Sequence, residues 1–261
     1  MAPFALLTEK QKKQIQPGVI DAYPATLLQQ GMIYHSEIDV RQSVFHDLLC
    51  YEIKKPYDSE KFRQALKMLI AEHDILRTAF DFSHYGQIMQ IVFSHVSLPL
   101  TELDISDLDK AEQDIFIDNW FEQEKQTGFN WSTAPIGRFF AIRCSEQTFN
   151  LAFSFNHCIL DGWSLANLMT QLLNLYSNLV AGKINELPEN ITLLHYRDFV
   201  AHELHSRDNY QDADFWRTYL KNYRYNLLPR STSEVRSRWS ECALHYTHEE
   251  TEGLKNRALA S

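Results

Sequence analysis

The amino-acid sequence predicts an α/β two-layer sandwich, a mixed sheet covered by helices. Apolar residues switch between strand alternation and helical three- and four-residue spacing, in the order strand, helix, two strands, helix, two strands, helix. Of the 261 residues, 44% are hydrophobic and 23% charged, a globular balance that excludes wholesale disorder and fibrous repeats. Only 8 Gly and 8 Pro occur, too few for a linker-rich chain, and no internal repeat or low-complexity tract interrupts the pattern.

Residues 23–34 read as a turn opening a short helix, and 45–53 as a strand rich in aliphatic and aromatic side chains. Asp58 or Ser59 caps a helix that carries Phe62, Leu66, Leu69 and Ile70 on one face. Residues 75–80 and 87–93 form two strands around Ser83-His84-Tyr85-Gly86. Residues 108–125 are helical, with Ile115, Phe116, Trp120 and Phe121 as the expected core side. A second hairpin joins 136–143 to 148–157. Residues 162–182 carry no charge and are long enough to cross a bilayer. Ser164, Asn167, Gln171, Asn174 and Asn178 form one polar stripe there, so the segment is an amphipathic helix on a core. A connector at 186–190 leads to a helical stretch over 193–223, a strand over 236–246 and a helix over 249–259.

The net charge of −9 argues against a nucleic-acid binder, because no basic face is available to neutralise phosphates. Cys50, Cys144, Cys158 and Cys242 lie far apart without metal-ligand rhythm, and the first residues lack the basic region of a signal peptide. A reduced, cytoplasmic setting without membrane or metal is therefore expected. His202/His205 and His245/His248 could each offer two ligands, with no third at a helpful spacing.

Chemistry concentrates in residues 153–164. Alternation places Leu151, Phe153, Phe155 and His157 on one face of a strand, and Asn150, Ser154 and Asn156 on the other. The imidazole is thus expected on the apolar side, largely shielded from water. Asp161-Gly162 then opens the uncharged helix, with Asp161 as N-cap and the Gly162 N–H free of any intrahelical acceptor. A histidine beside free helix N–H groups can handle the proton of a nucleophile while the amides hold an oxyanion. The alternative is a core histidine and an ordinary cap. Cys158, directed to the opposite face, is not expected to act as a nucleophile.

Asn156-His157-Cys158-Ile159-Leu160-Asp161-Gly162 resembles the H-H-x-x-x-D-G motif of nonribosomal peptide synthetase condensation domains, members of the chloramphenicol-acetyltransferase-like superfamily. The stretches Tyr23-Pro24-Ala25-Thr26-Leu27-Leu28-Gln29-Gln30-Gly31-Met32 and His73-Asp74-Ile75-Leu76-Arg77-Thr78-Ala79-Phe80 are similar to two further motifs of that family, in the same order. Tyr196-Arg197-Asp198-Phe199 and Phe215-Trp216 resemble later helices. The first motif histidine is replaced by Asn156.

The resemblance implies a two-lobed fold: residues 1–182 form the N-terminal lobe, and 183–261 the linker and first elements of an incomplete C-terminal lobe. It implies amide formation between an acyl or peptidyl thioester on an upstream peptidyl carrier protein and an aminoacyl amine on a downstream one. Phosphopantetheine arms are then substrates, and no cofactor is bound by the domain. His157 would orient or deprotonate the amine and the Gly162 amide would hold the oxyanion. Asp161, paired with Arg77, would rigidify the loop, and Asn156 would support packing. Arg217, Lys221 and Arg224, part of a basic stretch continuing to Arg238, are candidates for docking an acidic carrier. Self-association through an exposed lobe interface is also expected. The rival readings are a non-catalytic carrier-binding lobe and a coenzyme A-dependent acyltransferase of the same superfamily.

Overall fold

In the computed structural model, residues 1–38, 44–183, 195–207, 210–223 and 246–260 are described. The chain forms two compact units, Met1–Tyr210 and Gln211–Ser261. The first contains α1 (Glu9–Lys12), β1 (Val19–Pro24), α2 (Leu27–Ile38), β2 (His46–Ile53), α3 (Ser59–Glu72), β3 (Thr78–Asp81) and β4 (Met89–Phe93). It continues through β5 (Leu100–Asp104), α4 (Lys110–Lys125), β6 (Gly137–Arg143), β7 (Phe149–Asn156), α5 (Gly162–Val180) and α6 (Tyr196–Arg207). At the division begins α7 (Tyr210–Tyr219), and the second unit also holds α8 (His248–Ala260). The strand expected over 236–246 falls almost wholly outside the described residues.

The mixed sheet is four-stranded, ordered β2-β7-β6-β5, with β5 parallel to β6 and the other pairs antiparallel. A separate antiparallel sheet, β1-β4-β3, was not anticipated as a layer of its own. β1 escaped the sequence reading because its end, Tyr23-Pro24, was read as a turn opening the next helix, and β5 because of its polar sequence. β5 reads Leu100-Thr101-Glu102-Leu103-Asp104, a polar edge strand. The motif segment 75–80 is only partly strand: Asp74–Arg77 is a 3₁₀ turn, which aims the Arg77 side chain inward.

β7 is central and every one of its residues is buried. Its Phe149, Leu151, Phe153 and Phe155 join Phe62, Leu66 and Leu69 of α3 and Leu168, Leu172, Leu175 and Tyr176 of α5 in the main core. The sandwich is therefore closed by α3 and α5 lying side by side on one sheet face. Asp58 caps α3 by accepting from the Lys61 N–H at 3.0 Å, and its own N–H donates to the Tyr176 hydroxyl at 2.8 Å. Among the described residues no helix is long and apolar enough to cross a membrane.

Phe153 stacks between Phe139 and Phe155, with ring centroids 4.1 and 4.8 Å away. Gly137 makes room for that stack, because a Cβ there would stand 2.9 Å from the Phe153 ring. Gly137→Ala should overpack the core and cost about 1–3 kcal/mol in urea unfolding. Unchanged stability would mean that the stack can shift freely.

The core side expected for α4 is corrected. Ile115 is exposed and Phe116, Trp120 and Phe121 are half-buried, whereas Gln113 and Glu124 are buried. The helix is held by polar anchoring. The Gln113 amide donates to the carbonyls of Ile105, Leu108 and Cys144, at 3.1, 3.1 and 2.8 Å. Glu124 pairs with Arg138 at 2.6 Å, and Arg138 also donates to the Thr127 and Gly128 carbonyls.

α6 packs with the first unit. Arg197 reaches the buried Asp21 of β1 at 2.6 Å, and Val200 joins Tyr23 and Val92 on the smaller sheet. Asp21 also accepts from the N–H groups of Phe4 and Ala22, which spreads its charge over several donors.

Candidate active site

The site is built where β7 ends. Asn156 is the last strand residue and is buried on the face opposite the aromatic core. Its amide nitrogen donates to the Ser36 hydroxyl of α2 at 3.0 Å, and its oxygen accepts from the Cys158 N–H at 3.1 Å. Asn156 thus fastens the turn that carries His157. The other half of that turn is held from the 23–32 segment. There Thr26 and Gln29 cap α2 reciprocally, the Thr26 N–H donating to Gln29 Oε1 at 3.0 Å and the Gln29 N–H to Thr26 Oγ1 at 3.2 Å. Gln29 Nε2 then donates to the Cys158 carbonyl at 3.1 Å and to Gln90 Oε1 at 2.9 Å. Two motifs far apart in sequence are parts of one support.

His157 departs from the expected shielded position. The strand has ended, and the imidazole is 39% exposed. Its Nδ1 lies 2.6 Å from Asp47 Oδ2 on β2. Antiparallel pairing registers Asp47 with Phe155, which makes His157 its diagonal neighbour on the same face. The His157 N–H donates to the Phe45 carbonyl at 2.8 Å. Sequence reasoning missed Asp47, one of two carboxylates on β2, which lies near the strand's start.

Asp161 caps α5 as anticipated, accepting from the Ser164 N–H at 2.7 Å. The Ser164 hydroxyl and N–H hold its carboxyl below the ordinary value, with a smaller contribution from His157. Gly162 N–H and Trp163 N–H open the helix without intrahelical acceptors. A Cβ at Gly162 would meet nothing within 4 Å, and Trp163 is 83% exposed.

The expected Asp161–Arg77 pair is not formed. Arg77 is buried and donates to Asp74 Oδ1 at 2.6 Å and to the carbonyls of Phe93, Ile70 and Ala71 at 2.6, 3.0 and 3.3 Å. Asp74 stands three residues earlier in the same 3₁₀ turn, so the guanidinium finds its carboxylate locally. Arg77 knits α3, the turn and β4 together, while Asp161 is an exposed cap. Asp161→Ala should accordingly cost only about 0.5–2 kcal/mol. Because the folded carboxyl titrates below 3.8, that contribution is fully present above this pH and lost as the pH falls through the folded value. A loss larger than this in urea unfolding at neutral pH would show that Asp161 has a further partner.

Cys158 is buried, and burial pushes its thiol far above the ordinary range, which removes it as a nucleophile. Among the described residues no group of three His, Cys, Asp or Glu could hold a metal ion. In the second unit Arg217 and Lys221 are exposed, with Arg217 paired to Asp214 at 2.6 Å. Arg224 and the rest of the basic stretch lie outside the described residues.

The fold defines a class, and the comparisons agree with it. A family model described as Condensation domain matches residues 19–261. The chain is 36% identical over 237 residues to the AMB antimetabolite synthetase AmbE of Pseudomonas aeruginosa, covering 90% of this chain and 11% of that protein. Its fold is similar to the starter condensation domain of rhizomide synthetase RzmA, with TM-score 0.64, 18% identity and coverage of 80% and 51% of the two chains. It is also similar to the first condensation domain of the calcium-dependent antibiotic synthetase, with TM-score 0.65, 17% identity and coverage of 78% and 50%. The chain belongs to the condensation-domain family of nonribosomal peptide synthetases. It spans about half of these solved domains and a small part of the curated synthetases.

Proposed function

We propose that the chain contributes the histidine-bearing lobe of an amide-forming condensation domain. The observation that carries this reading is His157, held by Asp47 at the end of β7 just before α5 begins, inside a family match over residues 19–261. The amine nitrogen of a carrier-bound aminoacyl group attacks the thioester carbonyl of the upstream acyl group and forms the C–N bond. The carbonyl electrons move onto oxygen, where the Gly162 N–H can donate. When they return, the C–S bond breaks, and the proton shed by nitrogen passes by way of His157 to the departing pantetheine thiolate. Positioning two tethered reactants can by itself supply about 7–11 kcal/mol.

On this reading residues 1–182 are the N-terminal lobe and 183–261 begin the second. Upstream and downstream carrier proteins are the partners, Arg217, Lys221 and Arg224 help dock an acidic carrier, and the setting is cytoplasmic. An exposed lobe face also favours self-association. The test offers the intact synthetase two acyl donors, a loaded upstream carrier and the matching free coenzyme A thioester. Amide formation from the carrier-bound donor, at least tenfold faster, is expected. Equal use of the coenzyme A thioester with a free small amine would replace this reading with that of a coenzyme A-dependent acyltransferase.

A further inference from the structure

We propose that Asp47 is a positioning residue that fixes the His157 imidazole in one tautomer and one rotation, leaving Nε2 as the proton-accepting nitrogen. The proposal rests on the reading of His157 given above.

A carboxylate oxygen accepts hydrogen bonds, so the ring nitrogen 2.6 Å from Asp47 Oδ2 carries the hydrogen. A neutral imidazole has one N–H, which makes Nε2 the free base. Among the described residues no hydrogen bond engages Nε2. The nearby carboxylate of Asp161 is committed to Ser164, which leaves Asp47 as the acid that grips the ring.

The backbone around the pair is also fixed. Phe45 holds a left-handed φ of 63°, a conformation that bulky residues adopt only when their surroundings impose it. Its carbonyl accepts the His157 N–H at 2.8 Å, so His157 is held by the main chain just before β2 and by the Asp47 side chain on it. Asn156 and Gln29 secure the next residue from the other side. With the backbone clamped, rotation of the ring is the remaining freedom, and the Asp47 contact removes it.

Asp47→Asn places an amide donor against Nδ1 and favours the opposite tautomer. The intact synthetase carrying this change should lose about 10²-fold in kcat, less than the about 10⁴-fold cost in a buried Ser-His-Asp triad, because Asp47 is 41% exposed. KM for both loaded carriers should stay unchanged, and Asp47→Ala should behave alike. In ¹⁵N-histidine spectra of the 261-residue chain, the His157 signals should move from the Nδ1-protonated toward the Nε2-protonated pattern in Asp47→Asn. Wild-type kcat in both variants, or an unchanged tautomer, would overturn the positioning role. The parallel variant His157→Ala separates the two ideas. If it is inactive while both Asp47 variants are normal, His157 retains its function and only the positioning fails. If it is fully active, the reading of the site falls as well.

Discussion

His157→Ala in the intact synthetase is expected to lower amide formation by about 10²–10⁴-fold while leaving folding and carrier loading intact. The side chain is 39% exposed and touches Asp47 through one ring nitrogen, so truncation opens no cavity in the core. The turn beneath it keeps its own ties, from Asn156 to Cys158 and from Gln29 to Cys158. A pure loss of rate is therefore the outcome to look for. Near-normal thermal unfolding together with product formation within tenfold of wild type would remove His157 from the chemistry.

Arg77→Ala should instead act on stability, costing about 3–5 kcal/mol because it strands carbonyl acceptors and a carboxylate that the guanidinium now satisfies. Three of its partners are the backbone oxygens of Ile70, Ala71 and Phe93, which join α3 to β4 across the 3₁₀ turn. Coupling should appear with Asp74, where the double mutant costs less than the sum of the singles. With Asp161 the effects should add to within about 0.5 kcal/mol, since the two share no partner. Non-additivity between Arg77 and Asp161 in urea unfolding would restore the pairing that the structure lacks.

These two residues mark what the sequence could and could not reveal. β7 was legible because Leu151, Phe153 and Phe155 alternate with Asn150, Ser154 and Asn156, and α5 because its polar stripe keeps helical spacing. The cap at Asp161 followed from the junction of those two elements, whereas His157 was singled out there only through the resemblance of residues 156–162 to the family motif. Asp47 was not legible, since its contact with His157 joins residues 110 apart through the pairing of β2 with β7. The Arg77 partner was available locally in Asp74, yet a 3₁₀ turn in place of a strand start is needed to bring the two together. The buried side of α4 was misread because Gln113 and Glu124 go inside to satisfy loop carbonyls and Arg138, a demand invisible to apolar spacing.

Single-turnover transfer between preloaded carriers on the intact synthetase, followed by mass spectrometry of the downstream carrier, tests the amide-forming role most directly. The acyl group should move downstream when the acceptor bears a free α-amine and should stay upstream when that amine is blocked by acetylation. An upstream thioester that remains in place with a free amine loaded opposite it would contradict that role and leave a lobe that only binds carriers.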